Sequence, residues 1–221
     1  MAGNREPDLF LDQRRNMVAV QLRRRGIRDE RVLSAIERIP RHEFVAPHLS
    51  NRAYDDDPVP IGEGQTVSQP YIVAYMLEAL DIAPEHRVLE IGAGTGYQAA
   101  LLAELARELI TVERHQSLAE AARTNLDRLG YRNVAVIRAD GTQGWPAAAP
   151  YDRIIVAAAA PQVPPPLFHQ LAEGGKLIIP VGSTESQELL LVEKRDGQQV
   201  SSRLEGCRFV PLIGVEGFSH A

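Results

Sequence analysis

An apolar strand that runs through a glycine turn straight into a helix leaves a chain few architectures, and residues 88–105, VLEIGAGTGYQAALLAEL, form such a segment. Gly92, Gly94 and Gly96 alternate, which opens backbone dihedrals closed to other residues and lets a ligand approach without a Cβ in the way. Around this turn, strands are expected at 87–92, 108–113, 133–139, 152–157 and 175–181, with helices near 96–106, 115–129 and 164–173 between them. Short, continuously apolar strands alternating with helices imply a parallel sheet covered on both faces. Two further strand-like runs, 187–195 and 199–210, are joined through Asp196-Gly197, a hairpin dipeptide. The expected fold is α/β: a doubly wound, mostly parallel seven-stranded sheet finished by an antiparallel C-terminal hairpin.

Upstream, helices are expected at 8–25 and 29–39, stopped by Gly26 and Pro40, with Asp29 as the N-cap of the second. A segment rich in Pro, Gly and Asp (54–64) leads to a helix from Pro70 to Leu80, and Pro164 to Pro166 read as the entry to another helix. A length of 221 residues with 44% apolar content suits a single domain over 1–221, divided into an N-terminal helical extension and loop (1–80) and an α/β core (81–221). The start of the chain is polar and no apolar run reaches membrane-spanning length, so a soluble cytoplasmic protein is expected. Cys207, the only cysteine, allows no intrachain disulfide and reads as a small buried hydrophobe. A net charge of −5 argues against a broad nucleic-acid surface. Arg23 to Arg25 read as cations complementing a helix dipole, and Asp55 to Asp57 as a solvated turn.

An open α/β sheet binds ligands beyond the carboxyl ends of its strands, so residues at those ends carry the chemistry. The turn is G-x-G-x-G rather than the G-x-G-x-x-G that cradles a dinucleotide pyrophosphate. Glu90, two residues before Gly92, suits a ligand carrying positive charge. Glu113, at the end of the next strand, can bind ribose hydroxyls, and Asp140-Gly141 after the third can meet adenine. Together these groups favour a nucleoside cofactor with cationic groups, for which S-adenosyl-L-methionine fits. A phosphate-binding loop, H-E-x-x-H, paired cysteines and G-x-S-x-G are all missing. The six histidines are scattered without ligand spacing, and no metal is expected. The fourth strand ends in AAAAP rather than the N-P-P-aromatic tetrapeptide of adenine N-methyltransferases, which lowers a nucleic-acid reading. Methylation of a small molecule or nucleic acid is the alternative enzyme reading, and a nucleoside-binding module or dinucleotide enzyme the alternative class.

Residues 61–80 contain Gly62 and Gly64, then Thr66, Ser68 and Gln69 just ahead of Pro70. Taken alone, Ser68 or Gln69 is an N-cap. With VLEIGAGTGYQAA, YDRIIVAAAAPQVPPPLFHQLAEGGKLIIPVG, CRFVPLIG and RIPRHEFV, however, IGEGQTVSQPYIVA resembles the bacterial protein-L-isoaspartate O-methyltransferases over nearly the whole chain. That resemblance implies a Rossmann-like methyltransferase fold and methyl transfer from S-adenosylmethionine to the free carboxylate of isoaspartyl residues in damaged proteins and peptides. It implies Ser68 as the active-site residue, with Thr66 and Val67 on the cofactor side of the same loop and Gln69 on the substrate side. Glu90, Gly92, Gly94, Gly96, Glu113, Asp140 and Gly141 match the cofactor contacts. Val210 matches a strand that meets the substrate peptide through its backbone, a form of strand addition. A monomer acting on isoaspartyl proteins, with neither nucleic acid nor membrane as partner, is expected. Tyr71 and Val73 depart from the animal branch, where a histidine-bearing stretch follows the proline, so no contact of that histidine transfers to Val73. Residues 55–69 are expected to close over the cofactor.

Overall fold

The computed structural model describes residues 10–219, so His220 and the first two residues of the expected 8–25 helix lie outside the described residues. Helix α1 (Leu11–Asn16) continues through a wider π-helical turn (Met17–Leu22) and a tight turn (Arg23–Arg25) that ends at Gly26, φ +106°. Asp29 caps α2 (Glu30–Arg38) by accepting the Arg31 N–H at 2.8 Å. The expected loop at 54–64 instead carries a hairpin, β1 (Val59–Gly62) with β2 (Gln65–Val67), which has too few residues for a period-2 pattern to register. Helix α3 (Pro70–Leu80) follows, with Gln69 at the N-cap position but no capping bond from its side chain.

The main sheet comprises β3 (Arg87–Ile91), β4 (Glu108–Glu113), β5 (Val134–Arg138), β6 (Tyr151–Val156), β7 (Leu171–Gly182), β8 (Gln187–Arg195) and β9 (Gln198–Cys207). Its order is β5-β4-β3-β6-β7-β8-β9, parallel through β7 and antiparallel at each of the last two pairings. Helices α4 (Tyr97–Leu105) and α5 (Gln116–Arg128) follow β3 and β4. Successive strand residues face opposite sides. Val88, Leu109, Ile155 and Ile178 pack in one core with α2, α3 and α4, whereas Leu89, Ile110, Ile154 and Leu177 pack in the other.

Two expected boundaries need correction. The helix drawn over 164–173 is only α6 (Pro165–His169), because buried Leu171 pairs with Tyr151 and begins β7 early. The strand drawn over 199–210 stops at Cys207. Phe209 N–H turns to the Gln187 side chain, and the backbone of Val210 and Leu212 bonds to Ala159. The turn between β8 and β9 is as expected, with φ +52° at Asp196 and +72° at Gly197, the two positive values a type I′ hairpin requires.

Candidate active site

A cavity of about 590 Å³ lies at the carboxyl ends of β3, β4 and β6, where strand order reverses on either side of β3. Its size is that of a small-molecule site. One wall is the turn after β3. Gly94, at φ +54°, donates its N–H to Glu113 Oε2 at 3.0 Å, and His115 N–H donates to Oε1 at 2.9 Å. Glu113 therefore lines the cavity with both oxygens held by backbone donors, and each oxygen keeps a lone pair for a further hydroxyl. Gly141 lines the opposite part of this wall and packs so close to Ile91 that a Cβ would run into the Ile91 side chain.

The other acids at the strand ends face elsewhere. Glu90 shares the sheet face of Val88 and is fully buried beneath α4. Its carboxylate accepts from Thr111 Oγ1 at 2.5 Å and Gln98 Nε2 at 3.1 Å. Burial pushes its pKa up to about 7, although those two hydrogen bonds pull it down. Glu90 does not line the cavity, whereas Gln98 does. Asp140 binds Thr142 N–H and Oγ1 through Oδ1 (2.9 and 2.8 Å) and Val215 N–H through Oδ2 (2.9 Å). Burial acts to raise its pKa, but the bonds from Val215 and Thr142 hold it below the usual carboxylate value. Its carboxylate thus ties down the C-terminal segment, and Gly96 likewise stands behind the cavity wall, against Ala122 and Leu126 of α5.

The facing wall is built from Thr66, Val67, Ser68 and Gln69, with Phe209 and Val210 beside them. The Ser68 carbonyl accepts from Arg41 Nη2 at 2.9 Å, and its hydroxyl has no partner among the described residues. Gln69 Nε2 donates to the Asp56 carbonyl at 2.8 Å. Asp56 is not the solvated turn residue expected, because Arg25 pairs with its carboxylate at 2.5 Å while stacking on Tyr71. At the hairpin tip, Glu63 accepts from Ser117 Oγ at 2.6 Å and lies 3.6 Å from His115 Nδ1, so the tip is tied to the start of α5. Gln98 is legible as the polar residue in the first turn of a mostly apolar helix, YQAALLAEL. The Glu63 and Arg41 contacts link residues far apart in the chain and left no local signal.

The profile of the Protein-L-isoaspartate(D-aspartate) O-methyltransferase family matches residues 13–217. The chain belongs to this family. It is 57% identical over 217 residues to the protein-L-isoaspartate O-methyltransferase of Koribacter versatilis, covering 97% of this chain and 98% of the relative. It is 54% identical to that of Methanoculleus marisnigri, covering 96% and 97%. A solved protein-L-isoaspartate O-methyltransferase superposes with a TM-score of 0.83 at 33% identity, covering 92% of this chain and 67% of that one. A Plasmodium falciparum relative solved with S-adenosyl-L-homocysteine superposes at 0.77 and 27% identity, covering 90% and 98%. The chain is thus an S-adenosylmethionine-dependent enzyme that methylates isoaspartyl residues in protein repair. Among its described residues no helix is long and apolar enough to cross a membrane, and no cluster of three metal-ligating side chains occurs.

Proposed function

We propose that the two walls of this cavity divide the work: the turn after β3 with Glu113 and Gly141 binds the nucleoside cofactor, and the Thr66–Gln69 loop presents the substrate carboxylate. The observation that carries this is a single cavity lined by both sets of residues. The fit to S-adenosylmethionine rests on Glu113, whose two oxygens keep acceptor capacity for the ribose hydroxyls, and on Gly92 and Gly94, which line the cavity without a side chain while their N–H groups bond the Val112 carbonyl and Glu113. Glu90, Gly96 and Asp140 support this wall from behind. When bound, the cofactor supplies an electrophilic methyl group on a sulfonium.

The protein's own part is positioning. A carboxylate titrates near pKa ~4, so the nucleophile is already ionised at neutral pH and needs no general base. Holding it in line with the methyl carbon can contribute roughly 7–11 kcal/mol. Ser68, with its unpartnered hydroxyl at the cavity, donates to one carboxylate oxygen and orients the other. Thr66 and Val67 lie on the cofactor side of the same loop, and Gln69 and Val210 on the substrate side. The Val210 carbonyl is already bonded to Ala159 N–H, so its contact with a peptide uses the rest of its backbone and its side chain. The isopeptide amide nitrogen then attacks the methyl ester carbonyl and expels methanol, closing a succinimide, whose hydrolysis returns a fraction of the sites to normal aspartate.

The proposed targets are isoaspartyl sites in proteins and peptides, met by a cytoplasmic monomer formed by one domain over 1–221. Monomer status is supported by how few large apolar residues are exposed among the described residues: Val20, Val200 and Val215. The net charge of −5 speaks against nucleic acid as a partner. The test is methyl transfer to an isoaspartyl peptide against its aspartyl counterpart. Transfer to both, or to neither while S-adenosylhomocysteine still binds, overturns the assignment.

A further inference from the structure

Arg41 is completely buried and makes no ion pair among the described residues. Its Nε donates to the Ala53 carbonyl at 2.7 Å and its Nη2 to the Ser68 carbonyl at 2.9 Å. The guanidinium carbon stands 4.8 Å from the centre of the Tyr97 ring, and Nη1 is buried with no hydrogen-bond partner among the described residues. Tyr97 is the first residue of α4, directly after the glycine turn, and Phe44 packs edge-on against it at 5.5 Å. A guanidinium taken out of water with no carboxylate in ion-pair contact among the described residues is destabilising, and burial lowers its pKa although Tyr97, Tyr54 and Asp56 act to raise it. A core assembled for stability alone would carry an apolar side chain there.

We propose that Arg41 is a positioning residue for the methyl-transfer step, clamping the Ser68–Gln69 peptide against Tyr97 so that the Ser68 hydroxyl points at the substrate carboxylate. The planar fork of arginine reaches two carbonyls in fixed directions while its face lies on an aromatic ring, a geometry a lysine ammonium cannot copy. Orientation of the Ser68 peptide plane sets the direction of its Cα–Cβ bond, and so where Oγ points. The second anchor of the loop, Gln69 to the Asp56 carbonyl, lies on the adjacent residue, so release of the Arg41 clamp lets Ser68 swing while the loop stays attached.

This inference rests on the orienting role proposed for Ser68, and a double-mutant cycle separates the two. Arg41→Lys, Ser68→Ala and the double variant are compared for kcat and KM on an isoaspartyl peptide, with S-adenosylhomocysteine Kd and Tm measured alongside. Arg41→Lys is expected to lower kcat several-fold and by no more than the roughly tenfold loss expected of Ser68→Ala, as a small displacement of a reacting group does, with cofactor Kd within about threefold. The double variant is expected to be no slower than Ser68→Ala, since both changes act through one hydroxyl. Wild-type kcat in Arg41→Lys, fully additive losses, or a cofactor affinity that falls in step with kcat would each overturn the proposal. Unchanged kcat in Ser68→Ala beside a slow Arg41→Lys overturns the Ser68 role and this clamp together, whereas a slow Ser68→Ala beside a fast Arg41→Lys overturns the clamp alone. Arg41→Gln, which removes the buried charge and keeps an amide donor, carries the same comparison if the lysine variant does not fold.

Discussion

The two walls of the cavity are made differently. On the cofactor side, a buried parallel sheet delivers neighbouring strand ends side by side, so that backbone N–H groups and a carboxylate bond one another there, as Gly94 and His115 do with Glu113. On the substrate side, a short hairpin and the segment after β9 are held by single side-chain-to-backbone bonds: Arg41 to Ser68, Gln69 to Asp56, and Gln187 to Phe209. A wall built on regular strands is pre-organised by the fold itself, whereas a wall of irregular backbone depends on a few individual side chains. Substitutions on the first side should act on stability and cofactor affinity, those in the Thr66–Gln69 loop on turnover, and those at the hairpin tip, which reaches across to α5, on cofactor release.

The largest expected effect lies beneath the cofactor wall. Glu90 titrates at about 7 in the folded protein against a usual value near 4.5, so the folded state holds its proton longer than the unfolded chain does. The stability this represents is complete below pH ~4.5 and is lost as pH rises through about 7, a difference on the order of 3 kcal/mol. Urea unfolding of the wild type and Glu90→Gln at pH 5 and pH 8 should show the variant's stability depending less on pH. An unchanged pH dependence would mean that Glu90 stays ionised in place.

Next, Glu113→Ala removes a charged acceptor and leaves two backbone donors unsatisfied, so S-adenosylhomocysteine Kd should rise about 100-fold by calorimetry. A smaller loss than that of Ser68→Ala would erase the contrast between the walls. Ser68→Ala should lower kcat on an isoaspartyl peptide by about tenfold, the scale of one hydrogen bond to a charged group, with cofactor Kd unchanged. The smallest effect is expected at the hairpin tip. Glu63→Ala frees it from Ser117 and His115, and S-adenosylhomocysteine should dissociate roughly two- to fivefold faster in stopped flow, as suits an exposed ion-pair and hydrogen-bond contact. An unchanged off-rate would show that the tip does not gate the cofactor.

Much of this molecule could be read from local pattern. The parallel strands, the Asp29 cap and the Asp196-Gly197 hairpin follow from apolar periodicity and turn chemistry, both of which are properties of neighbouring residues. The alternation of strand side chains also decides which of two nearby acids meets the cavity: Glu90 shares the face of Val88 and goes under α4. It can be read from the sequence only once the helix packed on that face is known. Asp140 looks equivalent to Glu113 as an acid at a strand end, yet it is occupied by Val215, which comes from far along the chain.

The sequence by itself determined the strand–helix alternation, the glycine turn and the hairpin, because each depends on backbone conformation and burial within a few residues, and the cofactor followed from its resemblance to the family. Tertiary structure alone decided which carboxylate lines the cavity, where the strand before Val210 stops, and how Ser68 is held. Those depend on bonds such as Arg41 to Ser68, whose partners come together only after the N-terminal helices pack on the sheet.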